Sequence, residues 1–414
     1  MWRAFICRTI TGELLEELDM PSFSWSVTMG GSSLETKRDF SYGEDDVGGI
    51  ELPWSAVRDA TKQQAALALA TGRRAIAIGW EQDGVWRPIV FGAIGDRTDT
   101  WDGTSFELQG IWELLECRYL VTLDDYGRGF EPLRTEGLSR RGLCAFAGRH
   151  VTDGLLGYGG ELPVDWNYYC EVGSESLDLS AGDLDDLTFE SLLEDLMNSD
   201  IDNYDLVTRQ ADSCAPDATF VPKLVNGSVR LDFLCGTAND PQVAPGQSCI
   251  LEDWTDMQVQ HAQPYERVLA LGKEQEDEDE DSDEEEDPTY DTGWGADYTL
   301  CTLDDPYPLR ETTLDCGSDE DYDEDDGPGY CKDVASALAA FRECIPLAQV
   351  SLEVSAYQLP LGLVWPGDTC RVTVEGFPSI PDGTYDWRIM ELQGDSTDRV
   401  TVTFYPVEDP MYAL

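Results

Sequence analysis

"LPLGLVWPGDTCRVTVEGFPSIPDGTYDWRIMELQGDSTDRVTVTFYPVEDP", residues 359–410, is the stretch that decides the architecture. Within it DTCRVTVEG, YDWRIMELQG and DRVTVTFYPV alternate apolar and polar residues, the period of a strand with one face on a core. Proline and glycine gather between them, in WPGD and IPDGTY, where the chain must turn. With QVSLEVSAY just upstream, the pattern predicts a small β-barrel over residues 346–414.

The other end of the chain reads in the same way. AFICRTI, SFSWSVTMGG, RRAIAIGW, WRPIVFGAI and TSFELQGI are strands, with EQDG as a tight turn joining the third and fourth. An alanine-rich helix, AVRDATKQQAALALATG, interrupts them and is expected to close on Gly72 as its C-cap. These features predict a second small barrel over 1–115. A faint internal echo links the two ends. FGAIGDRTDTWDGTSFEL and IMELQGDSTDRVTVTF both run strand, Gly-Asp, polar turn, strand, as duplicated barrels would.

Two mixed segments lie between. In 116–258, TFESLLEDLMNS places Phe189, Leu192, Leu193, Leu196 and Met197 at helical spacing behind Thr188, a core stripe behind an N-cap. FVPKLVNGSVRLDFLCG reads as a hairpin about Asn226-Gly227. In 259–345, YERVLALGKE is a strand, ADYTLCTL a weak one, and DVASALAAFREC a helix from an Asp333 N-cap to just before Pro346. The predicted class is a β-rich α+β fold: two small β-barrel domains at the ends, mixed α/β domains between, and acidic insertion loops.

The charge is extreme: 83 acids against 27 bases, a formal net charge of −56. Two runs stand out, EQEDEDEDSDEEED (274–287) and DEDYDEDD (319–326), yet without them acids still outnumber bases by more than two to one. A surface with so few cations gains nothing from releasing phosphate counterions, which excludes a nucleic-acid binder. Anionic membranes are disfavoured for the same reason. Because strand character resumes after the runs, they read as insertion loops within folded structure, kept extended by self-repulsion.

No catalytic signature is present. GxSxG, GxGxxG, P-loop and HExxH patterns are absent, and the two histidines, His150 and His261, lie far apart. His150 reads as a helix-end or surface residue, and no enzymatic role is expected. DYDEDDG puts Gly327 one position late for an EF-hand and lacks its closing Glu. The twelve cysteines show no CxxC, and Cys301, Cys316, Cys331 and Cys344 are spaced too widely for paired zinc ligands. Buried free thiols are expected, with one or two disulfides around the acidic insertions as the alternative. Neither metal nor cofactor is expected, and no signal peptide or membrane-spanning helix is read.

The carboxy-terminal stretch resembles the end of tail hub proteins of long-tailed phages, the minor tail or Tal-like baseplate hub proteins. The resemblance rests on a Pro-Gly-Asp turn opening a strand (Pro366, Gly367, Asp368), then Asp382, Gly383, Tyr385, Arg388 and Ile389, then a paired closing strand. ERVLALGKE is similar to the strand that opens the family's later region. GELLEELDMPSFSWSVTMGG, IELPWSAV and WRPIVFGAIGDR resemble its beginning, in the form common in phages of actinobacteria. About half the chain is covered, in the family's order.

The resemblance implies a homotrimer in which three chains, each with two barrels, form a pseudo-sixfold ring. Such a ring closes the tail tube beneath the distal tail protein ring, with tape measure protein in its lumen and fibre or receptor-binding proteins outside. It implies a virion location at the tail tip, after synthesis in the host cytoplasm, and a conduit through which DNA passes without specific binding. Two departures are the acidic insertions and the lack of a long carboxy-terminal extension. On this reading Glu276, Asp277, Glu278, Asp279, Glu280, Asp281, Asp283, Glu284, Glu285 and Glu286 are candidate lumen residues of a phosphate-repelling wall. A solvated loop on the outside, or one docked on a basic neighbour, are the alternatives. The competing function is a tail-tip receptor-binding β protein contacting cell-wall glycans, which requires an exposed aromatic platform.

Overall fold

The computed structural model describes residues 1–28, 40–41, 50–116, 118–123, 130–152, 161–172, 177–180, 188–189, 192, 216–237, 249–262, 265, 267–275, 289–296, 308–316, 327–338, 347–404 and 407–408. These residues are mostly strand, with few helices.

At the amino-terminal end, six antiparallel strands form one sheet in the order Leu14–Leu18, Trp2–Arg8, Arg74–Gln82, Val85–Asp99, Gly103–Gln109, Ile50–Pro53. The third and fourth meet at Asp83-Gly84, both at positive φ (54° and 75°), the two-residue turn whose twist suits a hairpin. The sheet curls: beyond its last strand, Val57 bridges Leu18 of the first, and Asp19 N–H donates to Ala56 O at 2.9 Å.

Both faces of this sheet are covered, which explains its short-period apolar sequence. Ala4, Ile6, Ile76 and Ile78 enter one core, whereas Cys7, Ala75 and Ala77 enter another. The helix within it is shorter than its alanine content suggests, Lys62–Ala68. Thr61 and Gln64 close a reciprocal capping box at its start, and the helix stops at Leu69. Gly72 (φ 66°) therefore does not cap the helix. It turns the chain into the following strand, its N–H donating to Ile94 O at 2.7 Å.

The carboxy-terminal sheet has nine strands. Its main path is Cys249–Leu251, Thr369–Val374, Gly383–Asp395, Arg399–Phe404, Leu347–Ser355, Asp256–His261. Its two edge strands are thus consecutive in sequence, joined by residues 252–255. The five Cα steps from Leu251 to Asp256 span at most about 18 Å, whereas the edges of a flat six-strand path lie about 24 Å apart. The sheet must curl to bring its edges together.

Strand Ser24–Thr28 leaves the amino-terminal sheet and adds itself to Gly383–Asp395, register Trp25↔Gly394. The carboxy-terminal sheet therefore draws on residues 24–28 and 249–261 as well as the last 68 residues, and the boundary drawn at 258/259 falls inside a strand. One continuous core joins both sheets, from Ile6 and Trp25 to Val354, Leu392 and Val402. Trp2 Nε1 also donates to Thr397 O at 2.5 Å across the seam.

The middle segment covers the other face of the amino-terminal sheet. Hairpin Pro216–Val225/Ser228–Thr237 turns at Asn226-Gly227, again at two positive φ values (51° and 79°). Helix Arg140–Thr152 packs beside strand Val164–Trp166, where a Cβ on Gly148 would meet the Trp166 ring at 2.2 Å. Phe189 and Leu192 are buried in this core, while Leu193, Leu196 and Met197 lie outside the described residues.

Last comes a three-stranded sheet, Thr289–Ala296, Arg267–Gln275, Glu311–Asp315, under helix Gly327–Leu338. This helix starts six residues before the expected Asp333 cap. Pro328 supplies the reason, since its fixed φ suits a first helical turn and it has no N–H to leave unbonded there. Of the weak strand read in ADYTLCTL, Ala296 ends strand Thr289–Ala296, and the rest lies outside the described residues.

Candidate assembly interface and motif residues

The motif residues do not converge on one site. They pin the two ends of one ladder, Thr369–Val374 against Gly383–Asp395. At one end Gly367 N–H donates to Ile389 O (2.7 Å), Ile389 N–H to Asp368 O (2.8 Å), and Arg388 Nε–H to Gly367 O (3.2 Å). Pro366 is buried, and Asp368 is only 4% exposed. One Asp368 carboxylate oxygen accepts from Trp365 N–H at 2.9 Å, holding the turn closed. Burial pushes this carboxyl up to about 7, against the downward pull of that hydrogen bond and of Arg388.

At the other end Asp382 accepts from Gly376 N–H at 2.5 Å, and Val374 pairs with Gly383. Tyr385 donates its hydroxyl to Pro381 O at 2.7 Å and stacks on Trp387, centroids 5.1 Å apart. Between the two ends Arg371 grips Asp386 through two N–H···O bonds of 2.8 and 2.9 Å. The eight residues read as a signature thus act as turn and ladder fixings. Their chemistry is shape.

The acidic residues Glu276 to Glu286 lie outside the described residues. Their flanks do not: Gln275 pairs with Thr289 in an antiparallel ladder, and Leu271 with Thr292 beyond a bulge. The run therefore connects two neighbouring strands of a single sheet. The second run, 319–326, likewise lies outside the described residues.

An open cavity of about 310 Å³ sits at the seam of the two curled sheets, lined by Trp2, Met20, Phe23, Arg3 and Arg58 among others. Its cations are already engaged. Arg3 pairs with Glu17 and Glu81, each at 2.8 Å, and Arg58 with Glu17 (3.4 Å) and Asp19. An anion would have to displace these carboxylates, so the cavity is not a ready phosphate site. Among the described residues no cluster of three or more His, Cys, Asp or Glu side chains is arranged to hold a metal. His150, in the last turn of its helix, bonds Val121 O at 2.7 Å through Nε2 and is committed there.

None of the eight described cysteines is in a disulfide; seven are buried and Cys170 is exposed. Sequence reasoning missed that strand Ser24–Thr28 joins the carboxy-terminal sheet, and that Cys249–Leu251 and Asp256–His261 form that sheet's two edges. Their alternating patterns were visible, but alternation names no partner.

No known protein family matches the chain, and no curated protein does. Among solved structures it is similar to the 43 kDa tail protein of prophage MuSo2 from Shewanella oneidensis (9% identity, TM-score 0.46, 99% of each chain covered). It is also similar to a tail protein of Neisseria meningitidis MC58 (12% identity, TM-score 0.44, 99% and 97% covered). A third is an Escherichia coli component of the type VI secretion system (11% identity, TM-score 0.40, 95% of this chain and 75% of that one).

Proposed function

We infer that the chain is a structural protein of a phage tail tip, a trimeric hub that closes the distal end of the tail tube. The observation that carries this reading is the fusion of two curled sheets within one chain by a shared core and the exchanged strand 24–28. Three such chains present six curled sheets, the number that matches a sixfold ring. The echoed hairpins support duplication. Val85–Asp99/Gly103–Gln109 and Gly383–Asp395/Arg399–Phe404 each pair a long strand with a short one, and both carry a register shift.

In this role the hub docks under the distal tail protein ring, surrounds the tape measure protein and then DNA, and carries fibre or receptor-binding proteins. The role is structural, with no catalytic step. A net charge of −56 suits a conduit for DNA, since a wall short of cations offers phosphate no counterion-release gain. The acidic loop 276–286 is assigned to the lumen side of that wall.

The competing glycan-binding role is less well supported. Of twelve tryptophans only Trp101 and Trp294 are exposed (89% and 54%); Trp101 lies in the turn after Val85–Asp99 and Trp294 on strand Thr289–Ala296, so they come from separate elements. The test is the mass of the purified chain in moderate salt by light scattering, followed by particle images. Open trimeric rings are expected. A compact monomer that also fails to form rings with the distal tail protein overturns the hub assignment.

A further inference from the structure

Cys316 and Cys331 are both fully buried, and their Sγ atoms lie 3.4 Å apart. Cys316 directly follows strand Glu311–Asp315, and Cys331 lies in the first turns of helix Gly327–Leu338. Glycines bring them together. A Cβ on Gly293 would meet Lys332 N at 2.0 Å and the Cys331 carbonyl carbon at 2.4 Å, and one on Gly295 would meet Ser336 N at 2.5 Å. Only glycine at these two positions lets the helix lie this low on the sheet.

Each thiol also reaches a backbone carbonyl, Cys316 to Leu271 O at 3.3 Å and Cys331 to Asp291 O at 3.8 Å. Both sulfurs are thus held between the same strands. The fourteen residues between the cysteines carry seven acids, whose mutual repulsion works against keeping their ends together.

We propose that Cys316 and Cys331 are a disulfide-forming pair that covalently closes the second acidic insertion once the chain meets an oxidising medium. A separation of 3.4 Å must shorten to the bond length of about 2.05 Å, within reach of side-chain rotation. The oxidant is a low-molecular-weight disulfide. One protein thiolate attacks it, forming a mixed disulfide and releasing one small thiol. The second protein thiolate displaces the other small thiol. Two electrons and two protons pass from the protein thiols to the small disulfide, which leaves as two thiols.

A second buried pair of thiols lies elsewhere in the fold. Cys249 and Cys370 are register partners on adjacent parallel strands. Their thiols also hydrogen-bond one another, on a sheet edge that no acidic insertion adjoins.

The test incubates the full-length protein with oxidised glutathione, both folded and during refolding in the same buffer. The sample is then quenched in acid, denatured and alkylated, and an acid-directed protease releases peptides for mass mapping. The expected product is a Cys316–Cys331 linked peptide, lighter by two hydrogens and split by reductant. In Cys331→Ala, Cys316 is expected as an alkylated thiol. Recovery of Cys316 and Cys331 as free thiols from both arms, or their linkage to other cysteines, overturns the proposal.

Discussion

Trp25 and Gly394 face each other as register partners on strands from opposite ends of the chain. A Cβ on Gly394 would lie 3.0 Å from Trp25 Nε1 and 2.7 Å from Arg399 O. The exchanged strand therefore docks where the partner strand has no side chain. Trp25, itself 2% exposed, fills that space as part of the core joining both sheets.

Gly394→Val should force the ladder and the exchanged strand apart. Overpacking of this kind costs about 1–3 kcal/mol, and loss of the strand would add to it. Thermal denaturation should show a lower Tm. Limited proteolysis should show faster cleavage near residues 20–28, while Gly110→Val, where no atom lies within 4 Å and φ is not left-handed, should show no such cleavage. Equal protection of Gly394→Val and wild type would refute the docking role of this glycine.

Asp368 gives a pH signature. Its carboxyl, raised to about 7, favours the neutral form in the folded protein. The resulting stabilisation is fully present below the unfolded value near 4, and is lost as pH rises through about 7. Asp368→Asn removes this titration while retaining an oxygen to accept from Trp365 N–H. The stability difference between variant and wild type, by urea denaturation, should shift in the variant's favour by a few kcal/mol between pH 4 and 8. A difference independent of pH would exclude a raised Asp368.

Gly12 tests how the middle hairpin is attached. It sits at φ 67°, and a Cβ there would meet Val229 O at 1.8 Å. Gly12 O accepts from Val229 N–H at 2.8 Å, and Gly227 O accepts from Leu14 N–H at 3.1 Å. Gly12→Val combines left-handed strain with a backbone collision, so a loss of about 2–4 kcal/mol is expected. Hydrogen exchange should localise the loss to Pro216–Thr237 and Leu14–Leu18. Exchange unchanged in those strands would show that the hairpin is held elsewhere.

The acidic connection should be dispensable for folding. Replacing residues 276–288 by a two-residue Asn-Gly turn joins strands that already pair at Gln275 and Thr289. Loop length enters closure entropy only logarithmically, about 0.6 kcal/mol per doubling. The shortened chain should melt within a few degrees of the wild type. A collapse of the fold would mean that the run makes contacts the sheet depends on.

What the sequence determined was local. Asp83-Gly84 and Asn226-Gly227 fixed two hairpins, since few residues adopt consecutive positive φ values. Alternation placed the long strands and their apolar faces, and the Pro366-Gly367-Asp368 and Asp382-Gly383 turns were legible as turns. Helix limits were legible less well, because alanine content marks propensity while Thr61 with Gln64, or Pro328, marks the start. Only the tertiary structure decided which strands meet. Ser24–Thr28 and Cys249–Leu251 carry patterns that fit any half-buried edge, and the choice of partner is made by long-range packing around one core. The same holds for Cys316 and Cys331. Their spacing in sequence carries no sign of contact, which arises from a helix lying on Gly293 and Gly295.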